Sequence, residues 1–143
     1  LAFHQAESRT VKRYLNLLPA LLYMALIFCL SSRPAPEALQ AWPILWGMKV
    51  VHLVEYGVLA VLWYVGLRRA TAWSPCAVGL VSVALTFAWG ISDEIHQAFV
   101  PGRTARVEDI FTDLVGAVAA TWLWRALVAL RRAHASGKPL STR

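Results

Sequence analysis

The chain has little charge. Of its 143 residues only 15% are Asp, Glu, Lys or Arg, where a soluble domain usually carries about 25%. Two cysteines, Cys29 and Cys76, sit in apolar runs, so a disulfide-dense secreted scaffold is excluded and both read as small packing residues. No CxxC, Cys/His or HExxH spacing is present, so no standard zinc motif can be read. Internal repeats, low-complexity tracts and a second domain are also missing, and the length suits one compact unit. What fills the chain instead is apolar: 58% hydrophobic residues and a mean hydropathy of +0.52, a composition that excludes disorder.

The apolar residues fall into four stretches, each near the ~20 residues that a helix needs to cross a bilayer. They run from about Leu15 to Ser32, from Met48 to Leu67, from about Cys76 to Phe99, and from about Val107 to Leu130. Proline, glycine and arginine gather in the gaps, as expected of loops and helix ends. The expectation is an all-α polytopic membrane protein, a compact four-helix bundle spanning 15–130, between basic segments at 1–14 and 131–143. A signal peptide is the rival reading of the first stretch, after Lys12 and Arg13. Three further spans and the length of the stretch argue against cleavage.

Positive residues set the orientation. Ten of the fourteen fall on one side: Arg9, Lys12, Arg13, Arg68, Arg69, Arg125, Arg131, Arg132, Lys138 and Arg143. Arg33, Lys49, Arg103 and Arg106 fall on the other. Both termini are therefore expected in the cytoplasm. Trp63, Tyr64, Trp73, Trp122 and Trp124 read as an inner interfacial belt, and Trp42 and Trp46 as an outer one. The net charge of +6 then belongs to this bias and to a basic tail against anionic lipid, and no nucleic-acid partner is expected.

Only Glu7 and Glu37 of the eight acidic residues lie clearly outside the spans. Lys49, His52, Glu55 and Tyr56 open the second span, and Asp93, Glu94, His96 and Gln97 close the third. Glu108, Asp109 and Asp113 open the fourth, Arg103 stands in the loop before it, and Ser31 and Ser32 end the first. With the termini inside, every one of these groups arrives at the same, outer face. A charge near mid-membrane costs roughly 2.5–3.5 kcal/mol on insertion scales, so the groups must face one another or a wet cavity.

Helical spacing puts Lys49, His52 and Tyr56 on one stripe with Glu55 beside it; Asp93 can meet His96 or Gln97, and Asp109 and Asp113 are one turn apart. Glu94 and Glu108 read as bystanders, and Ser31 and Ser32 as helix-end residues. The stripe of Gly116, Ala117 and Ala120 suits close helix approach, either inside the monomer or in a homodimer.

The catalytic candidates are His52, Glu55, Asp93, His96 and Asp113, a histidine serving as base with carboxylates orienting it or acting as acid. Lys49, Tyr56, Gln97, Arg103 and Asp109 are substrate-binding candidates, with Arg103 and Lys49 suited to a phosphate. Two histidines among carboxylates also suit a divalent metal, although the spacing signals it weakly. Three function classes follow: an enzyme acting on a lipid headgroup or lipid-linked envelope precursor, a non-catalytic headgroup- or drug-binding module, and a proton or ion path. The last lacks ionisable residues in the inner halves of the spans, apart from Arg125.

Ser31-Ser32-x-Pro34, then Lys49-x-x-His52-x-x-Glu55-Tyr56-Gly57, then Ser92-Asp93-Glu94-Ile95-His96-Gln97-x-Phe99-x-Pro101-x-Arg103 with Asp109 and Asp113-x-x-Gly116, together resemble the VanZ-like membrane proteins over roughly 15–128. The resemblance implies an integral protein of the bacterial cytoplasmic membrane and, from the teicoplanin-resistance accessory protein that names the family, a link to glycopeptide resistance. It implies no particular reaction.

Overall fold

A computed structural model describes residues 12–34 and 42–136, without the side chains of 42–46. The chain is helical throughout this region, with four long helices: α1 (Leu18–Ser31), α2 (Trp42–Ala70), α3 (Pro75–Gln97) and α4 (Val107–Ser136). All four belong to segments long and apolar enough to cross a membrane, as hydropathy predicts. The helices overrun the apolar stretches: α2 begins before Met48 and α4 continues six residues past Leu130. Basic side chains past the apolar run can stay in water while the backbone remains helical.

Local chemistry explains the ends. The chain is helical from the first described residue, Lys12, and narrows to a 3-10 turn at Leu15–Leu17. Pro19 lacks the N–H that would bond the Leu15 carbonyl, and the Leu18 N–H bonds it instead. Ser74 caps α3, its Oγ accepting from the Ala77 N–H at 3.2 Å, with Pro75 at the first helical position. After α3 the Arg103 N–H donates to the Val100 carbonyl at 3.1 Å. Gly102 has φ +75°, the one positive φ among the described residues, which is what the third position of a Pro-Gly type II turn requires.

The second helix is central and packs against the other three. It runs parallel to α4, and the two backbones nearly touch. A Cβ on Gly116 would collide with the Leu53 carbonyl, and one on Gly57 would lie 3.1 Å from the Ala120 Cβ. The small-residue stripe therefore packs inside the monomer, against α2, and is not free to join two copies. A core of Ala20, Ile27, Tyr56, Leu59, Trp63, Tyr64, Leu67 and Val78 fills the bundle.

Trp63 and Tyr64 are thus core residues, 7% and 8% exposed, which corrects their assignment to an interfacial belt: the second half of this central helix is packed on most of its faces. Trp73, Trp122 and Trp124 are exposed, as a belt requires. The side chains of Trp42 and Trp46 lie outside the described residues, as do Arg9, Lys138 and Arg143.

Candidate functional site

Parallel packing of α2 on α4 sets up a ladder. Lys49, His52, Leu53 and Gly57 on α2 stand beside Asp109, Asp113, Gly116 and Ala120 on α4, an almost constant offset along both chains. The Lys49 Nζ lies 3.1 Å from Asp109 Oδ1, near the helix ends. One turn deeper, His52 Nδ1 lies 3.1 Å from Oδ1 of Asp113, which is 1% exposed. Below them the two glycines bring the backbones close enough for these rungs to form. Gly90 of α3 clears the other side: a Cβ there would lie 3.1 Å from Asp113 Oδ2 and 3.3 Å from Tyr56 Cε1.

Gly90→Ala gains up to about 1 kcal/mol of helix propensity and loses a similar amount to crowding. The expected result is a melting temperature close to wild type, with function reduced through a displaced Asp113. Thermal unfolding and the lipid assay described below, run on the same preparation, check both halves.

The third member of the α2 stripe turns to α3. Tyr56 donates its hydroxyl to Asp93 Oδ2 at 3.2 Å, Gln97 Nε2 donates to the same oxygen at 2.8 Å, and Ser31 Oγ donates to Oδ1 at 2.5 Å. Asp93 is therefore a buried carboxyl group held by three neutral donors, which fixes both of its oxygens. Of its two sequence-predicted neighbours, Gln97 meets it and His96 does not. His96 turns to α1, with Nε2 2.9 Å from Ser32 Oγ and its ring 4.4 Å from that of Phe28.

A cavity of about 210 Å³ opens between α1, α2 and α3. His52, Glu55, Asp93, Gln97, Ser31 and Arg103 supply its polar lining, and His96 is not among the lining residues. Glu55 has no hydrogen-bond or ion-pair partner among the described residues. His52 is shared, since it faces the cavity and is held from behind by Asp113.

Arg103 takes a part beyond the substrate-binding role expected from the sequence. Its Nε donates to the Arg33 carbonyl at 3.2 Å and its Nη2 to the Leu30 carbonyl at 3.1 Å, so it closes the C-terminal end of α1. That end has no basic residue of its own, and a cation there also suits the helix dipole. Arg103→Ala removes two bonds worth about 1 kcal/mol each. A lower melting temperature is expected, with Arg103→Lys recovering no more than half of the loss.

Sequence reasoning missed two groups. Glu94, read as a bystander, is 4% exposed and accepts the Arg106 N–H at 2.8 Å. Ser31 is both a helix-end residue and a partner of Asp93. Glu108 is exposed in the first turn of α4, as a bystander should be. One ring nitrogen of His52 and one oxygen each of Glu94 and Asp109 lie within 4.8 Å of one another. These three residues, one from each of α2, α3 and α4, are the group among those described that can hold a metal ion.

Among the described residues the buried carboxylates all lie at this end. Deeper in the bundle the buried polar side chains are the hydroxyls of Ser82, Thr86 and Thr121. At the far end Arg68, Arg69, Arg125 and Arg132 line a wider groove of about 760 Å³ with Trp122 and Trp124.

Neither the curated proteins nor the solved structures include a match. A sequence model of one family, described as VanZ/LLP1, does match, over residues 2–129. That stretch carries every residue of the ladder, the Asp93 network and the cavity, and the chain belongs to the VanZ/LLP1 family.

Proposed function

We propose that this protein acts on a phosphate-bearing lipid headgroup or lipid-linked envelope intermediate at the outer face of the bacterial cytoplasmic membrane. Through that activity it contributes to glycopeptide resistance of the teicoplanin type. The observation that carries the reading is Glu55: an unpartnered carboxylate lining the same cavity as a histidine held by a buried aspartate. Two such groups side by side are what a hydrolysis or transfer needs, one to move a proton and one to meet the reacting group. In this reading Glu55 handles the proton, His52 is oriented by Asp113, and Lys49 and the free donors of Arg103 supply positive charge for an anion.

The size of the cavity favours a small polar target. At about 210 Å³ the cavity lies below the usual range of drug-sized ligand sites, which suits a phosphate or a compact headgroup rather than a whole glycopeptide. The ten positive residues assigned to the opposite side support the outward orientation of the cavity. The absence of buried carboxylates deeper among the described residues disfavours a proton or ion path.

The test is a mass-spectrometric comparison of membrane lipids and wall precursors in one strain expressing the wild type, Glu55→Gln, His52→Gln or nothing, with membrane levels matched. A species that changes mass with the wild type and not with the variants supports an enzyme and names its substrate. Unchanged lipids, with the resistance phenotype kept by both variants, would replace the enzyme by a headgroup-binding module.

A further inference from the structure

The polar end holds more negative than positive charge. Glu94, Asp109 and Asp113 are three carboxylates gathered around His52, and Lys49 is the one cationic side chain paired with them among the described residues. With His52 neutral, as a metal ligand must be, the ionised groups leave an excess of two negative charges in a segment that crosses a membrane. Unneutralised charge there is costly. A divalent cation is the partner whose charge matches the excess.

The geometry meets the same requirement independently. Each of the three close groups is fixed from outside by a different neighbour. The His52 ring is held through Nδ1 by Asp113, which leaves Nε2 with no hydrogen-bond partner among the described residues. The backbone N–H of Arg106 holds Glu94 through Oε2, and Lys49 holds Asp109 through Oδ1, so each carboxylate keeps its second oxygen. A carboxylate behind a histidine, and a hydrogen bond behind each carboxylate, is how protein metal sites orient their ligands. Asp113 is 1% exposed and holds the His52 ring through Oδ1, while its Oδ2 lies against Gly90 of α3, so its part is that of a buried outer carboxylate behind a ligating histidine.

We infer that His52, Glu94 and Asp109 form a binding site for a divalent first-row transition-metal ion, with Asp113, Lys49 and the Arg106 amide as its outer shell. One imidazole and two carboxylates suit zinc or manganese. Ligand atoms around tetrahedral zinc stand roughly 3.3–3.5 Å apart, so a set already within 4.8 Å closes on the ion by movements of about 1.5 Å or less. Three ligands leave coordination positions for water or a phosphate oxygen, as catalytic rather than structural sites do. His52 also lines the cavity, so one ligand of the ion would belong to the wall that Glu55 shares. The inference deepens the proposed function and rests on it only for this last point.

Chelator-stripped full-length protein in detergent, titrated with Zn²⁺ by calorimetry and checked by elemental analysis, tests it. One Zn²⁺ per chain is expected, with affinity at least tenfold weaker in Glu94→Gln and in Asp109→Asn. Glu108→Gln, the same charge change on an exposed neighbour, should bind like the wild type. Co²⁺ added to the wild type should give the visible ligand-field bands of a protein-bound ion, a readout that needs no variant to fold. Less than stoichiometric Zn²⁺ in the wild type, or equal binding by Glu94→Gln, overturns the inference. Zn²⁺ binding without any lipid conversion would leave the metal site standing and remove the proposed reaction. Lipid conversion that survives chelation in a protein that binds no Zn²⁺ would do the reverse.

Discussion

Glu55→Gln should reach the membrane at the wild-type level and lose the lipid or precursor conversion by roughly 10²- to 10⁴-fold, the range expected when a proton-transfer group is removed. The two halves of this result have separate causes. Glutamine keeps the shape of glutamate, and Glu55 has no hydrogen-bond or ion-pair partner among the described residues that the change could break, so stability should hold. Its place on the cavity wall beside His52 makes the carboxylate oxygen the group that a headgroup would meet under the proposed function. Membrane level by immunoblot and product by mass spectrometry read the two halves separately. A variant that is abundant and as active as the wild type would remove Glu55 from the mechanism.

Gly116→Leu should abolish the folded bundle while Gly47→Leu leaves it intact. At Gly116 the α2 backbone occupies the space of a side chain, with the Leu53 carbonyl and Cα against the position of a Cβ. Backbone cannot rotate away as a flexible side chain can, so α2 and α4 must separate. Overpacking of this kind costs about 3 kcal/mol or more. The separation would also pull His52 from Asp113 and Lys49 from Asp109, which lie on the same helix pair. A Cβ at Gly47 has nothing within 4 Å among the described residues, so the same enlargement should be tolerated there. Fluorescence-detected gel filtration in mild detergent distinguishes a monodisperse peak from aggregate; equal peaks for both variants would contradict the close approach.

Much of this arrangement was legible from the residues. Hydropathy located four spans, and the rule that buried charges need partners required the ionisable residues to meet. The i, i+3, i+7 stripe of Lys49, His52 and Tyr56 and the one-turn pair Asp109 and Asp113 were readable as single faces, and the structure sets one against the other. Periodicity could not choose between His96 and Gln97 as the partner of Asp93, because both lie on nearly the same side one turn away. Packing decided it, since α1 offers Ser32 and Phe28 to the imidazole.

Glu94 escaped for a related reason. It points about 100° from Asp93 around α3, which on a helix with one buried face would mean exposure. But α3 is covered on two sides: Asp93 meets α1 and α2, while Glu94 meets the start of α4. Trp63 and Tyr64 were misread because nothing in the sequence marks α2 as the central helix. Arg103 could not be placed at all without the turn at Pro101-Gly102, which sends its side chain back to a helix end seventy residues earlier.

That helix end also works as a latch. Four side-chain bonds fasten the end of α1 to α3 and the loop that follows it: Ser31 to Asp93, Ser32 to His96, and Arg103 to the carbonyls of Leu30 and Arg33. At about 1 kcal/mol each, undoing all four costs on the order of 4 kcal/mol, an opening populated about once in 10³. Leu30 and Ser31 wall the cavity, and the outward side of α1, with Leu22, Leu26 and Leu30, is exposed and apolar. Under the proposed function, a lipid diffusing sideways in the leaflet would meet a wall fastened by polar bonds, and loosening it would admit a headgroup while the acyl chains stay in hydrocarbon.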